Sequence, residues 1–94
     1  MTTPFQIIYT KPYIKHAKRF IKRHPHMLSQ YEKTLKLLEL NPFHPALRLH
    51  ALKGHLTGLH SISINLQYRI SIDLMIDGNK IMLIKIGDHN FVYQ

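Results

Sequence analysis

The spacing of apolar residues changes period along the chain, and the changes mark out its elements. Phe5-Gln6-Ile7-Ile8-Tyr9 is short, apolar and β-prone, and predicts a first strand. Thr10 and Pro12 then mark a helix start, because the missing N–H of proline costs little in a first turn. Tyr13, Ile14, Ala17, Phe20 and Ile21 recur at helical spacing, with Lys15, Lys18, Arg19 and Lys22 largely on the other side. His24-Pro25-His26 ends this helix, since a residue before proline avoids helical geometry. A second helix is predicted over roughly residues 27–40. Met27, Leu28, Tyr31, Leu35 and Leu38 form its apolar side, Leu37 lies at its margin, and Asn41-Pro42 stops it. Two helices joined by so tight a turn are expected to form an antiparallel hairpin.

From Leu49 the period is two. A strand at about residues 49–53 leads through Gly54-His55-Leu56-Thr57-Gly58 into another at 59–65. There Ile62 and Ile64 face one way, and Ser61, Ser63 and Asn65 the other. The next strand sets Ile70, Ile72 and Leu74 against Arg69, Ser71 and Asp73. Asp77-Gly78-Asn79 signals a hairpin turn. Residues 80–86 form the last strand, nearly all apolar and therefore expected centrally in the sheet. With the short strand at 49–53 counted together with the one it leads into, the order β-α-α-β-β-β gives an α+β two-layer fold: an antiparallel sheet with a helix hairpin on one face, a single domain over residues 1–94. The other face carries Ser61, Ser63, Arg69, Ser71 and Lys85, and is expected to be open, polar and basic.

Charge sharpens this picture. Thirteen Lys and Arg against five Asp and Glu give a net charge of +8 and a pI near 10.0, which calls for a polyanionic partner. Six of the cations fall between Lys11 and Arg23, so Lys15, Lys18, Arg19 and Lys22 are candidate RNA contacts, with Lys53 and Lys85 from the sheet. No apolar run reaches the roughly 18 residues of a membrane span. Met1-Thr2-Thr3-Pro4 is not the basic-then-apolar start of a secretory signal. The chain has no cysteine, which favours the cytoplasm. Eight histidines invite a metal, yet none shows a ligand spacing: His24 and His26 are separated by proline, and no His-x-x-x-His pair occurs. Neither metal nor cofactor is expected.

The chemistry-bearing residues suit a phosphodiester. Cleaving RNA by transesterification needs a base for the ribose 2′-hydroxyl, cationic donors on the phosphate, and an acid for the departing 5′-oxygen. Arg69, inside a strand, supplies a guanidinium fork, with pairing to Asp73 or Asp88 as the structural alternative. His89, just past the last strand, is a candidate acid or base, a role imidazoles commonly take. Tyr93 offers a phenolic donor or a stacking surface. His50 is a second base or acid, and Lys53 a point charge for phosphate. His44, His55 and His60 are weaker candidates for the same roles.

Three stretches in order carry a family resemblance. They are Leu52-Lys53-Gly54 with Gly58, then Ser61-Ile62-Ser63-Ile64-Asn65 with Gln67-Tyr68-Arg69-Ile70, then Ile86-Gly87-Asp88-His89 with Val92-Tyr93. In spacing they resemble the RelE/ParE superfamily of type II toxin–antitoxin toxins, particularly its RelE/HigB/YafQ-like ribonuclease branch. The resemblance spans essentially the whole chain and implies a RelE-like microbial ribonuclease fold. It implies a metal-independent endoribonuclease that cuts messenger RNA on the ribosome, inhibits translation and is neutralised by a cognate antitoxin. By position it implies His50, Arg69, His89 and Tyr93 as active residues, helped by Lys53. The chain departs from the pattern at Ser63, where many relatives are basic, at Gln67, and at Asn90-Phe91, where an acidic pair is common. A ParE-like inhibitor that contacts DNA gyrase without catalysis is the alternative. The His89 and Tyr93 pair favours the nuclease, because a gyrase binder has no use for a proton shuttle.

Overall fold

Local signals start and stop each helix of the computed structural model, which describes residues 4–93. Met1-Thr2-Thr3 lie outside the described residues. Helix α1 spans Lys11–Arg23, and the Thr10 hydroxyl caps it by accepting from the Tyr13 N–H at 3.3 Å. Tyr13, Ala17 and Phe20 are its buried positions. Ile14, expected on the same face, is 38% exposed. A single 3₁₀ turn over Pro25–Met27 leads into helix α2, Leu28–Leu40. Its buried stripe runs through Thr34 and Leu38, and Leu28 at the first position is exposed rather than packed. The Thr34 hydroxyl donates back to the Gln30 carbonyl at 2.8 Å, so its burial leaves no unpaired group. Tyr13 and Tyr31 share a hydroxyl–hydroxyl bond of 2.9 Å between the helices.

The strands are β1 (Gln6–Tyr9), β2 (His50–Ala51), β3 (His60–Ser63), β4 (Tyr68–Met75) and β5 (Lys80–Asp88). They form one sheet in the order β1-β5-β4-β3-β2. The expected α+β fold with a helix hairpin is present, and the apolar last strand is interior, paired on both sides over Lys80–Leu83. The sheet is mixed rather than wholly antiparallel, because β1 pairs with β5 in parallel. Parity explains this: α1, α2, β2, β3, β4 and β5 each reverse the chain, and six reversals restore its first direction. The strand expected over 49–53 shrinks to two paired residues, because Arg48 at φ 49° and Gly54 at φ 67° turn the backbone away on either side.

Ile62, Ile64, Ile70, Ile72, Ile81, Leu83 and Ile86 form the sheet's half of the core against the helices. A bulge sets the spacing on β5. Ser71 pairs with Lys85 and Ile72 with Leu83, so Ile84 is the extra residue, and Leu83 and Ile86 both face the helices. The β4–β5 hairpin turns where Asp77-Gly78-Asn79 predicts it. Asn79, not Gly78, takes the left-handed conformation, at φ 51°. Among the described residues no helix is long and apolar enough to cross a membrane.

The last element has no counterpart in the hydrophobic pattern. Asp88 accepts from the Phe91 N–H at 2.9 Å and caps a short helix α3, His89–Val92. Helix α3 packs on β4 and β5, and Val92 is buried at 1% exposure. The polar sheet face is therefore not open: Ser61, Ser63 and Ser71 are all buried. Small serines fit beneath the returning chain where larger side chains would hold it off.

Candidate functional site

The sheet register fixes how the chemical residues are arranged. His50, Ser61, Ser71 and Lys85 form one cross-strand row, and Ser63, Arg69 and Gly87 the next. Partners directly across an antiparallel ladder share a face, as do residues two apart along a strand, so both rows lie on the face away from the helix hairpin.

His50 opens β2 and is exposed. Its Nδ1 lies 3.1 Å from the Arg48 carbonyl, which accepts only, so Nδ1 carries the hydrogen. In the neutral ring Nε2 is then an acceptor, and the Tyr93 hydroxyl donates to it at 2.5 Å. The turn of α3 carries Tyr93 back over the sheet to make this contact. His89 begins the same turn, and its ring lies 4.0 Å from that of Tyr93, centroid to centroid. Residues four apart on a helical turn are neighbours, which is why these two meet. A phenol thus sits between two imidazoles, hydrogen-bonded to one and packed on the other.

Arg69 stands on the neighbouring row and is half-buried. Its Nη1 donates to the Ser63 hydroxyl at 2.8 Å, and its buried Nε has no hydrogen-bond partner. Asp88, one of its sequence-predicted alternatives, is instead committed to the Phe91 N–H. A buried guanidinium donor without a partner is costly, and an anion arriving on this face would lower that cost. Two residues of strand set the rows about 7 Å apart, a distance that long side chains and a phosphate between them can span.

The remaining expected residues divide. Lys85 belongs to the His50 row, and its ammonium lies 5.4 Å from the centre of the Phe91 ring, a cation–π contact that orients it. Lys53 is exposed in the loop after β2. Lys15, Lys18 and Lys22 are exposed on helix α1 and belong to neither row. Arg19 belongs with neither group and lines a cleft beside Gly87 and Phe91. His44 is taken up by local structure: its Nδ1 accepts from the Ala46 N–H at 3.1 Å. His55 is exposed, while His60 is half-buried on β3, where its Nδ1 has no partner. Among the described residues no three His, Cys, Asp or Glu side chains gather where they would hold a metal ion.

The roles of two residues were not legible in the sequence. Ser63 is the hydrogen-bond partner of Arg69, and its place directly opposite in a strand pair was the available signal. Phe91 packs on Gly87 so closely that an added Cβ would come within 2.9 Å of its ring. A glycine four residues before an aromatic was the available signal there.

No protein-family model and no curated protein sequence matches the chain. Several solved structures share its shape. A mutant of E. coli YafQ superposes with a TM-score of 0.78 at 21% identity, covering 96% of this chain and 99% of that one. YafQ in the E. coli DinJ–YafQ toxin–antitoxin complex gives 0.76 at 20% identity, over 97% and 99%. The YoeB/ParE toxin from Agrobacterium tumefaciens gives 0.71 at 18% identity, over 90% and 99%. The chain has the fold of these toxins over nearly its whole length.

Proposed function

We propose that this chain is a RelE/ParE-superfamily toxin of a type II toxin–antitoxin system. It acts in the cytoplasm as a metal-independent endoribonuclease on messenger RNA engaged by the ribosome, and a cognate antitoxin holds it in check. The observation that carries this reading is the His50–Tyr93–His89 constellation beside a half-buried Arg69 with a free donor. The fold shared with YafQ and YoeB supports the toxin role, and the DinJ–YafQ complex supports an antitoxin partner.

Each step has a residue. The phosphate settles on the Arg69 fork, with the Lys85 and Lys53 ammoniums adding charge. Tyr93 takes the 2′-hydroxyl proton as it passes its own to His50 Nε2, so the 2′-oxygen attacks phosphorus. Protonated His89 gives its proton to the departing 5′-oxygen. Charge that builds on the phosphate oxygens is met by Arg69 at the moment it appears. Lys15, Lys18 and Lys22, exposed on α1, contact ribosomal RNA rather than the scissile bond.

Induced expression in bacteria tests the reading. Growth should stop, translated messages should be cut, and co-expression of the neighbouring antitoxin gene should restore growth. Arrest with intact messages and broken chromosomal DNA would point to gyrase contact instead.

A further inference from the structure

The free end of β5 borders a cleft that the mechanism above does not use. Strand β1 covers β5 only as far as Leu83, which leaves Ile84–Asp88 as an edge. Helix α1 and the Phe91 side chain close over that edge around a cavity of about 300 Å³. Its walls include Arg19, Arg23, His16, His24, Tyr68 and Phe91.

Three properties of these walls point to one kind of ligand. The charge is cationic: two guanidiniums face a single carboxylate, Asp88, whose oxygen already accepts from the Phe91 N–H. The apolar walls are aromatic. Tyr68 and His24 rings lie 4.9 Å apart, Phe20 packs edge-on to Tyr68 at 5.0 Å, and the Phe91 ring stands at right angles to His16 at 6.3 Å. One ring nitrogen, Nδ1 of His16, is buried without a hydrogen-bond partner. Guanidinium forks suit phosphate, and aromatic walls suit a base. The volume lies at the lower bound of small-ligand sites, about 300 Å³, which is the scale of one nucleotide.

Position ties the cleft to the two rows. Tyr68 and Arg69 are consecutive on β4, so they point to opposite faces of the sheet. Across the ladder Tyr68 pairs with Asp88, and Arg69 with Gly87. These are the last pairs before the sheet ends, so a strand of RNA lying on Arg69 can pass around that end into the cleft.

We propose that this cleft is a nucleotide subsite for single-stranded RNA. It holds the phosphate of a flanking nucleotide on Arg19 and Arg23 and seats its base between the Phe91 and Tyr68 walls. The proposal rests on the ribonuclease reading, but its binding step can be measured apart from cleavage.

The test titrates adenosine 5′-monophosphate into the full-length chain and follows amide resonances by NMR, beside inorganic phosphate and tetraglutamate. Resonances of α1 around Arg19 and Arg23, and of Tyr68 and Phe91, should move. Arg19→Gln with Arg23→Gln should weaken this binding on the order of tenfold or more. The parent and His89→Gln should bind equally. The same double variant should raise KM for RNA cleavage and leave kcat nearly unchanged. Shifts confined to Arg69 and His89 would overturn the subsite, as would phosphate binding as tightly as the nucleotide. Tetraglutamate moving the cleft resonances where the nucleotide does not would make the cleft an acidic-peptide site and also overturn it. If the nucleotide maps to the cleft but RNA is never cut, the subsite stands and the nuclease reading fails. If RNA is cut and the double variant changes neither binding nor KM, the reverse holds.

Discussion

The Tyr93 hydroxyl donates to His50 Nε2 at 2.5 Å across 43 residues of sequence, joining the last turn of the chain to the edge strand β2. The bond fixes the tautomer of His50 and the position of the phenol together. Tyr93→Phe removes the hydroxyl but keeps the ring against His89. Cleavage should fall by about 10²–10⁴, with thermal stability little changed. His50→Ala should cost a similar amount. The double variant should lose no more than the worse single one, because a relay acts as a unit. Single-turnover cleavage of a ribosome-bound message measures this cycle, and losses that multiply would separate the two residues.

Arg69 tests charge stabilisation. Arg69→Ala should lower the cleavage rate by about 10²–10³, the usual cost of losing one such donor. Arg69→Lys should recover little, since an ammonium cannot fork onto two phosphate oxygens. Ser63→Ala releases the guanidinium without removing it, and should cost roughly tenfold or less if the bond is worth about 1.5 kcal/mol. Equal losses for Ser63→Ala and Arg69→Ala would mean that aiming the arginine matters more than its charge.

Lys15, Lys18 and Lys22 make a separate prediction because they line neither the two rows nor the cleft. Reversing Lys15, Lys18 and Lys22 to Glu should collapse ribosome association at physiological salt. In the parent, association should weaken steeply as salt rises, because phosphate contacts release counterions. Sedimentation with ribosomes over a salt series measures both. Unchanged association would reduce the charge run to a solvated helix face.

Two phenols between the helices, Tyr13 buried and Tyr31 partly so, set an alkaline limit on stability. Burial, then the neighbouring Tyr31, pushes the Tyr13 phenol far above its ordinary value of 10.0, and burial raises Tyr31 as well. A raised folded-state value favours the protonated form, so this contribution is complete below the unfolded value and is lost as pH rises past it. Stability to urea should therefore hold to about pH 9 and then fall. The slope should approach about 1.4 kcal/mol per pH unit for each fully coupled phenol. Tyr13→Phe should flatten that fall. An equally steep decline in the variant would place its origin elsewhere.

What the sequence made legible follows from the range of each signal. Helix α1 could be read because Thr10, Pro12 and His24-Pro25 act within a turn of themselves. The β4–β5 hairpin could be read because Asp77-Gly78-Asn79 is local. The parallel pairing of β1 could not, because its direction depends on counting reversals along the whole chain. The bulge at Ile84 could not, because an apolar residue on an apolar strand leaves no break in pattern. The site divided in the same way. Arg69, His89, His50 and Tyr93 stood out by chemical type, but the turn that joins three of them did not. Helix α3 is four residues long and has no period to detect; the Asp88 cap was its one local sign. The covered serines were misread for the same reason, since what covers them is α3.

The ends of the RNA fragments test the mechanism most directly. Attack by the 2′-oxygen leaves a 2′,3′-cyclic phosphate on the upstream piece, and the proton delivered by His89 leaves a free 5′-hydroxyl on the downstream piece. The measurement is ligation-based mapping of both ends after the purified chain is added to a cell-free translation reaction. A transesterase of this kind should yield cyclic-phosphate and 5′-hydroxyl ends within translated messages, and Tyr93→Phe should sharply reduce their yield. Fragments carrying 5′-phosphates, or messages left intact while translation stops, would contradict it.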